Sequence, residues 1–245
     1  MAKRSAQWWL GSLAVVLSLA GCARSISNSG YEADSDRGYR AKSNPTYKGE
    51  LNEWDVLGID PQAVVTEKGI ADALASKVPL TLPKGSTVML VQSGAPSPDD
   101  DLNSSLAKYF NVSVFSGVPL DSQATHAGYS KALRLAAAQG GAPKLMVVWG
   151  VLETGRLDLD TKAVSWIPFV GWGIRDEVQR MRIRTKVAIV DVKTGQWETF
   201  APEPFEDSSS SSNNSRAATD QAQVAVLKTR AYKTLVEDLV KRYAR

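Results

Sequence analysis

The stretch that decides the fold is residues 145–152, which read LMVVWGVL. A nearly continuous apolar run that is rich in β-branched side chains is typical of a strand buried on both faces. Two shorter runs of the same kind lie upstream, TVMLVQ at residues 87–92 and VSVF at residues 112–115. We predict a strand for each of the three runs and expect residues 145–152 to form the central one.

Helical patterns separate these three strands. Leu102, Leu106 and Tyr109 recur at helical spacing between the first two strands, and Tyr129 and Leu133 do so before the third. Strands that alternate with helices along the chain favour an α/β arrangement, in which helices pack on a sheet that contains parallel strands.

Two segments after residue 152 alternate apolar and polar side chains. The first alternates Leu with Asp, and the second, at residues 180–189, alternates apolar side chains with Arg and Lys. Each predicts a two-sided strand, and together they predict a long antiparallel hairpin. We expect Asp158 to face Arg182, and Asp160 to face Arg180, because opposite charges stabilise cross-strand pairs.

The C-terminal region predicts a long amphipathic helix. Leu227, Ala231, Leu235 and Leu239 form one apolar stripe at helical spacing. The predicted fold class is therefore α/β (α+β): one mixed β-sheet with helices packed on it, a long β-hairpin extension and a C-terminal amphipathic helix.

The N-terminus predicts a lipoprotein signal peptide at residues 1–21. Lys3 and Arg4 precede an apolar run at residues 8–20 that is too short to span a bilayer. The following Leu19-Ala20-Gly21-Cys22 resembles the lipobox of bacterial lipoproteins. This resemblance implies cleavage before Cys22 and acylation of that residue, and several acyl chains give stable membrane attachment.

The residues after Cys22 define the expected location and domain organisation. Ala23 stands where Asp would favour retention in the inner membrane, so the lipobox resemblance implies the periplasmic face of the outer membrane. We predict a lipidated flexible tether at 22–50 and a helical lead-in at 51–83. The helix of this lead-in is expected to begin at Asp60-Pro61 and to turn its apolar side chains, Val64, Val65, Ile70, Ala73 and Leu74, inward. The mixed α/β domain is expected at 84–245.

The composition excludes several classes of protein. The 245 residues include one Cys and one His, so a disulfide framework and most zinc sites are excluded. Loss of Lys3 and Arg4 with the signal peptide leaves the side-chain charge close to neutral, which argues against nucleic-acid binding. We expect no metal and no cofactor.

Three motifs carry a further resemblance. They are the TVMLVQ strand, the central KLMVVWGVLETG and the strand-turn-strand IRTKVAIVDVKTGQW, which is followed by the long terminal helix. The region 84–245 resembles the small α/β domain shared by CsgG, the N-terminal domain of TolB, PelC and LpoB. The resemblance implies a non-enzymatic accessory or assembly factor of an envelope machine, for secretion, polysaccharide export or cell-wall synthesis. It also implies an envelope protein partner or self-association.

One pattern suggests catalysis instead. Ser105-x-x-Lys108 together with Lys193-Thr194-Gly195 is similar to motifs of penicillin-recognising acyl-serine enzymes, in which Lys activates the Ser nucleophile. We see no Ser-x-Asn element between them, and Lys-Thr-Gly also suits a hairpin turn. We therefore predict no catalytic residues and keep a lipid-anchored acyl-serine hydrolase as the alternative.

Two other features could contact partners. The aromatic segment at residues 166–172 reads WIPFVGW in a predicted loop, and it suits either a membrane or protein contact or a loop that covers the core. Its candidate contact residues are Trp166, Ile167, Phe169, Val170 and Trp172.

The second feature is the basic stripe formed by Arg180, Arg182, Arg184 and Lys186. These side chains share one face if their segment is a strand. They suit an anionic partner, or else cross-strand ion pairs within the protein. Elsewhere, we expect His126 at a surface or capping position and Asp99-Asp100-Asp101 at a solvated helix start.

Overall fold

The structure is a computed structural model that describes residues 22–29, 46–119, 126–158, 177–211 and 216–244. Within these residues the strands are β1 (Cys22–Ser25), β2 (Thr87–Gln92), β3 (Asn111–Phe115), β4 (Lys144–Asp158), β5 (Glu177–Asp191), β6 (Trp197–Phe200) and β7 (Phe205–Ser211). The α-helices are α1 (Glu53–Leu57), α2 (Glu67–Ala75), α3 (Asp100–Ala107), α4 (His126–Gln139) and α5 (Arg216–Tyr243), and a single 3-10 turn covers Ile26–Asn28.

The strands form one mixed sheet. Its main order is β3-β2-β4-β5-β6, with β2 parallel to β3 and to β4, and β5 antiparallel to β4 and to β6. β1 pairs with β4 beyond the end of β2, and β7 pairs with β5 beyond the end of β6. The mixed α/β fold predicted from the sequence is confirmed, whereas β1 and β7 are strands that the sequence patterns did not indicate.

Helices cover both faces of the sheet. On one face, α3 and α5 pack on a core that includes Leu90, Met146 and Ile189. On the other face, α1 and α4 pack on a second core that includes Val91 and Val147. Alternate residues of the central strand are buried in different cores, which explains why its sequence is apolar without interruption. The predicted stripe of α5 is also confirmed, because its four members are all buried, at positions 227, 231, 235 and 239.

The prediction of a flexible tether is wrong for residues 22–29. Cys22–Ser25 is strand β1, paired antiparallel with β4 from Cys22 opposite Thr154 to Ser25 opposite Val151. The following Ile26 is completely buried in the core beneath α5. The strand forms because main-chain pairing and the burial of one large apolar side chain compensate for a sequence that is otherwise small and polar.

The lead-in segment also differs from its prediction. Asp60 accepts a hydrogen bond from the backbone N–H of Gln62 at 2.9 Å, but this caps only a turn. The helix begins instead after Thr66, whose Oγ1 accepts a hydrogen bond from the backbone N–H of Gly69 at 3.1 Å. No residue of α2 is buried, so the expectation that its apolar side chains face inward is wrong.

The hairpin register differs from the predicted pairing. Arg182 lies opposite Glu153, five positions before Asp158, and Asp158 lies opposite Glu177. Glu177 and Arg182 are five positions apart on β5, so Asp158 and Arg182 lie on opposite faces of the sheet and the predicted pair is wrong. Burial sets this register, because the same ladder aligns Met146 with Ile189 in the core, and exposed ion pairs contribute much less. Asp160 lies outside the described residues.

The turn between β5 and β6 is stabilised by Asp191. Its Oδ1 accepts hydrogen bonds from the backbone N–H of Thr194 at 2.7 Å and from the Thr194 hydroxyl at 2.9 Å. Its Oδ2 accepts one from Lys144 Nζ at 2.6 Å. Burial on its own raises the pKa of Asp191, but these hydrogen bonds outweigh it and lower the pKa from 3.8 to about 2.

We predict that Asp191→Asn destabilises the protein in a pH-dependent way. The lowered pKa stabilises the folded state above pH 4, and this contribution disappears as the pH falls to about 2. Urea unfolding of the unlipidated chain from residue 22 should show a loss of about 2 kcal/mol at pH 7. The difference between wild type and variant should shrink toward zero at pH 2. An equal difference at both pH values would contradict this assignment.

Candidate functional site

Four strands of the sheet come together in one row beyond the ends of β2 and β6. Cys22 of β1 lies opposite Thr154 of β4, which lies opposite Met181 of β5, which lies opposite Asp207 of β7. We call these four residues the Cys22 row. Because neighbouring strands are about 4.8 Å apart, the row extends roughly 14 Å across the sheet. The lipobox cysteine is thus the first residue of a strand in the folded domain.

Residues 26–29 hold β1 in place. The Ile26 side chain occupies the space beside Gly150 of β4, where a Cβ atom would overlap it. Ser27 Oγ donates to the carbonyl of Ser93 at 2.6 Å and accepts from Gln92 Nε2 at 3.1 Å. At the end of the segment, Lys228 Nζ of α5 donates to the carbonyl of Ser29 at 3.2 Å. The position of Cys22 is therefore fixed by the core as well as by strand pairing.

The basic stripe lies on the sheet face that carries α1 and α4. Glu153 forms ion pairs with two arginines, with oxygen–nitrogen distances of 2.5 Å to Arg182 and 3.1 Å to Arg184. Lys186 pairs with Glu53 of α1 at 2.6 Å. Arg180 is exposed and forms no ion pair with another residue that the structure describes. Ion pairs within the protein therefore account for three members of the stripe, and its contact with an external anion stays a prediction.

Glu153 is held in its charged form by its neighbours. The hydrogen bond from Arg182 is the main cause of its lowered pKa, and partial burial opposes the effect. Arg184 adds a further hydrogen bond and a favourable charge. The charge pattern of the sequence predicted Asp158 as the partner of Arg182. The pairing with Glu153 was not predicted, because the register of the two strands depends on core pairs that a local charge pattern does not reveal.

A partly buried polar cluster lies where β2 ends and α3 begins. Asp99 Oδ2 accepts from the Tyr232 hydroxyl at 2.5 Å and from Lys228 Nζ at 3.1 Å. Gln92 Oε1 accepts from the backbone N–H of Asp99 at 2.8 Å. Burial, followed by the charge of Asp99, raises the pKa of Tyr232 well above its usual value, so the phenol stays protonated and donates.

The expectation of a solvated helix start is confirmed for Asp100 and Asp101, which are exposed in the first turn of α3, but it is wrong for Asp99. Asp99 precedes α3 but makes no capping hydrogen bond with its side chain, because its carboxylate binds α5 instead. Asp101 likewise accepts a hydrogen bond from the Thr229 hydroxyl of α5. No local pattern in the sequence predicts these contacts, because the partners are more than 120 residues apart. Asp99 and Asp101 thus bind α5 to the start of α3.

The structure does not bring the suspected catalytic residues together. Ser105 and Lys108 belong to α3 and the residue that follows it, on the α5 face of the sheet. The turn at Lys193 lies on the opposite face, where the Lys193 carbonyl accepts a hydrogen bond from Arg134 of α4 at 3.0 Å. Ser105 and the Lys193 turn therefore do not line a common site.

Four further features concern His126, metal binding, membrane-spanning helices and the aromatic segment. His126 is the first residue of α4. The described ranges contain no group of His, Cys, Asp and Glu residues that could hold a metal ion. Across the same ranges, no helix has the length and hydropathy needed to cross a membrane. The aromatic segment, residues 166–172, lies outside the described residues, so its proposed membrane or partner contact stays a prediction.

Comparison with known proteins identifies the family. A family model described as YafT bacterial lipoprotein matches residues 52–242, which is more than half of the chain. The chain belongs to this family of bacterial lipoproteins. Among curated proteins, none matches the chain significantly in sequence.

Two solved structures are weakly similar. A PelC dodecamer from Paraburkholderia phytofirmans is 11% identical, with a TM-score of 0.29, and the match covers 69% of this chain and 96% of that one. A neuraminyllactose-binding hemagglutinin homolog from Helicobacter pylori is 13% identical, with a TM-score of 0.27, and the match covers 67% of this chain and 86% of that one. The grouping with CsgG, TolB, PelC and LpoB that the sequence motifs suggested stays a prediction.

We predict that Gly150→Ala releases the N-terminal segment. The new methyl group would overlap Ile26, which is completely buried and has no space to move away. Overpacking of this kind costs about 1–3 kcal/mol. Urea unfolding should show this loss, and amide hydrogen exchange in residues 23–29 should become faster.

Two further variants serve as controls for Gly150→Ala. Val151→Ala changes the next residue of β4, which is exposed on the other face, and should cost less than about 0.5 kcal/mol. Adding Ile26→Ala to Gly150→Ala should cost less than the two single effects combined, because the overlapping atoms are gone. Unchanged stability and exchange in Gly150→Ala would show that β1 does not depend on this contact.

Proposed function

We propose that this protein is a lipoprotein anchored through Cys22 to the periplasmic face of the outer membrane. There it acts without catalysis, as an accessory or assembly factor of an envelope machine that binds a protein partner. The observation that carries the proposal is the position of Cys22: the residue at the lipobox is also the first residue of a strand in the domain. Acylation of Cys22 would therefore attach the sheet itself to the membrane.

Several contacts support a binding role over a catalytic one. The polar groups of the partly buried cluster, Asp99, Lys228 and Tyr232, bind one another and join the start of α3 to α5. Ser105 and Lys193 lie on opposite faces of the sheet. The polar side chains of the described residues are thus used to hold the fold together.

An exposed apolar surface supports the presence of a partner. Residues 61–79 are exposed almost without exception, and they include Val64, Val65 and Leu74 with exposed fractions of 93%, 73% and 72%. Large apolar side chains grouped on one surface segment are typical of a protein contact. We propose that this segment, which contains α2, is the surface that binds the partner.

The attachment of α2 places this surface far from Cys22. The side chain of Gln196 donates to the carbonyl of Ser76 at 2.5 Å and accepts from the backbone N–H of Val78 at 3.1 Å. The Gln196 carbonyl in turn accepts from the backbone N–H of Asp191, which lies opposite Lys144. Lys144 and Thr154 are ten positions apart on β4, so the point where the end of α2 attaches lies about 33 Å along the sheet from the Cys22 row.

The first test concerns the anchor. Cys22→Ser should leave the precursor uncleaved and unlabelled by palmitate analogues in growing cells, because the acylated thiol is missing. Sucrose-gradient fractionation should place the wild-type chain with the outer membrane. Equal labelling of variant and wild type would refute anchoring through Cys22, and recovery with the inner membrane would refute the location.

The second test concerns the partner surface. A photo-crosslinking amino acid at Val65 should give adducts with an envelope protein in intact cells, and Leu74→Asp should remove them. Leu74 is mostly exposed, so this substitution should change the free energy of unfolding by less than about 0.5 kcal/mol. Lys77→Asp, a change of an exposed polar residue in the same segment, is the matched control and should keep the adducts. Adducts that survive Leu74→Asp would place the partner surface elsewhere.

A further inference from the structure

We propose that the open edge of β3 accepts an additional strand from a partner protein. The partner supplies an extended antiparallel segment with apolar side chains at alternate positions and a carboxylate near its C-terminal end. β3 lies at the margin of the sheet opposite β6 and the β5–β6 turn that holds α2. This edge is therefore a contact in addition to the proposed surface on α2.

The main-chain groups along the outer edge of β3 have no partner strand among the described residues. β3 is the last strand of the sheet on this side, and β2 is the only described strand that pairs with it. The backbone N–H of Asn111 donates to the carbonyl of Ser86 at 2.9 Å, so the main-chain groups of Asn111 point toward β2. Because successive residues direct these groups to opposite sides, those of Val112 and Val114 point to the open edge.

The side chains of β3 do not protect this edge. Natural sheets usually prevent unwanted strand addition by placing a charged residue or a proline on an edge strand. The other strands at the margins of the described sheet carry charges, namely Arg24 in β1, Glu198 in β6, and Glu206 and Asp207 in β7. β3 reads NVSVF and contains neither a charge nor a proline. Its sequence therefore permits strand addition.

Exposed apolar side chains accompany the open main-chain groups. Val112 packs against the core beneath α3 and α5, and Val114 lies on the same face because it is two residues further along the strand. Val114 is 49% exposed, and Phe115, on the other face, is 41% exposed. An added strand covers Val114 best when its own apolar residues recur at every second position, on the face that Val112 and Val114 share.

Two lysines at the N-terminal end of β3 determine the charge of the added strand. Lys108 is three residues before Asn111, and Lys84 Nζ lies 5.7 Å from the centre of the Tyr109 ring. Both lysines are exposed, and neither forms an ion pair with another described residue. Antiparallel pairing is slightly the more stable kind, and it places the C-terminal end of the added strand beside these lysines. A carboxylate at that end is therefore complementary in charge.

A second copy of this chain does not suit the edge if both copies are anchored through Cys22. Antiparallel pairing of β3 with itself would point the strands of the two copies in opposite directions. Ser113 is aligned through Met89 with Leu145, which is nine positions before Thr154, the residue opposite Cys22. The two anchors would then lie roughly 60 Å apart at opposite ends of the joined sheet, which is unfavourable for one membrane. We therefore assign the edge to a different protein.

The test uses the full-length lipoprotein in lipid nanodiscs and a dye-labelled peptide. In this acetylated heptapeptide, Val and Thr alternate over five residues and two Glu follow. Fluorescence anisotropy should show saturable binding. Amide hydrogen exchange in the complex should slow at Val112 and Val114 but not at Ser113, whose N–H already faces β2. The same peptide with every main-chain amide N-methylated should not bind, because it cannot donate to the edge.

Val114→Pro and Val114→Thr form a matched pair on the protein side. Proline removes the N–H that faces the open edge without breaking a hydrogen bond to β2, and an edge strand tolerates it there. Binding should weaken by about tenfold or more. Val114→Thr keeps both the N–H and the β-branched shape and should bind within about twofold of wild type. Urea unfolding of both variants checks that the fold is kept.

A charge exchange tests the predicted polarity of the added strand without changing β3. Lys108→Glu should weaken binding of the peptide by about threefold at low salt, and a peptide that ends in two Lys instead of two Glu should recover it. This pair of measurements also serves if Val114→Pro does not fold. Loss of affinity for both peptides, or for neither, would contradict the antiparallel orientation.

The remaining outcomes decide the proposal as a whole. Equal affinity of wild type and folded Val114→Pro, binding of the N-methylated peptide, or no binding by wild type up to about 1 mM peptide would overturn it. A dimer in detergent, detected by light scattering and abolished by Val114→Pro, would assign the edge to a second copy and would also overturn it. Acylation of Cys22 and the surface on α2 have separate tests, so their failure is distinguishable from failure at β3.

Discussion

The antiparallel ladder between β4 and β5 is the interaction on which the rest of the structure depends. Both strands are 15 residues long and they are paired along their whole length. The half of the ladder that contains Lys144 and Asp191 also pairs with β2 and β6, and the other half pairs with β1 and β7. Because side chains alternate between faces, this single register decides which residues enter each core and which basic residues meet Glu153.

The ladder also creates the site that holds the N-terminus. Gly150 leaves the space on β4 that the Ile26 side chain fills, and Gln92 and Ser93 at the end of β2 bind the neighbouring Ser27. The polar groups at the end of β2 are therefore hydrogen-bonded to the N-terminal segment of the same chain. A segment that would otherwise be an unstructured linker is instead tied to the core by one apolar side chain and several hydrogen bonds.

The sequence predicted the parts of the fold that depend on local pattern. The central strand could be recognised because Met146 and Val147 enter opposite cores, which demands an apolar residue at every position. The stripe on α5 could be recognised from its spacing for a similar reason. Lipid attachment was expected from a short motif, and membership of a lipoprotein family agrees with it.

The parts that could not be predicted depend on contacts between distant residues. β1 has a short and mostly polar sequence, and its structure comes from pairing with a strand more than 120 residues away. The contacts of Asp99 with Lys228 and Tyr232 span a similar distance. The basic stripe was placed on a strand correctly, but its acidic partner was misassigned, because core packing and not surface charge sets the register.

The same ladder gives the proposed function a fixed geometry. β4 is paired on both sides along most of its length, by β2 and β5 at residues 144–148 and by β1 and β5 at residues 151–154. A strand held in this way does not bend freely, so the separation between Cys22 and α2 is set by the length of β4. If Cys22 is acylated, the point where the proposed partner surface attaches lies about 33 Å along β4 from the row that contains the anchor. A partner that binds α2 would therefore have to reach the domain at a set distance from the anchor, which a protein on a long flexible tether would not require.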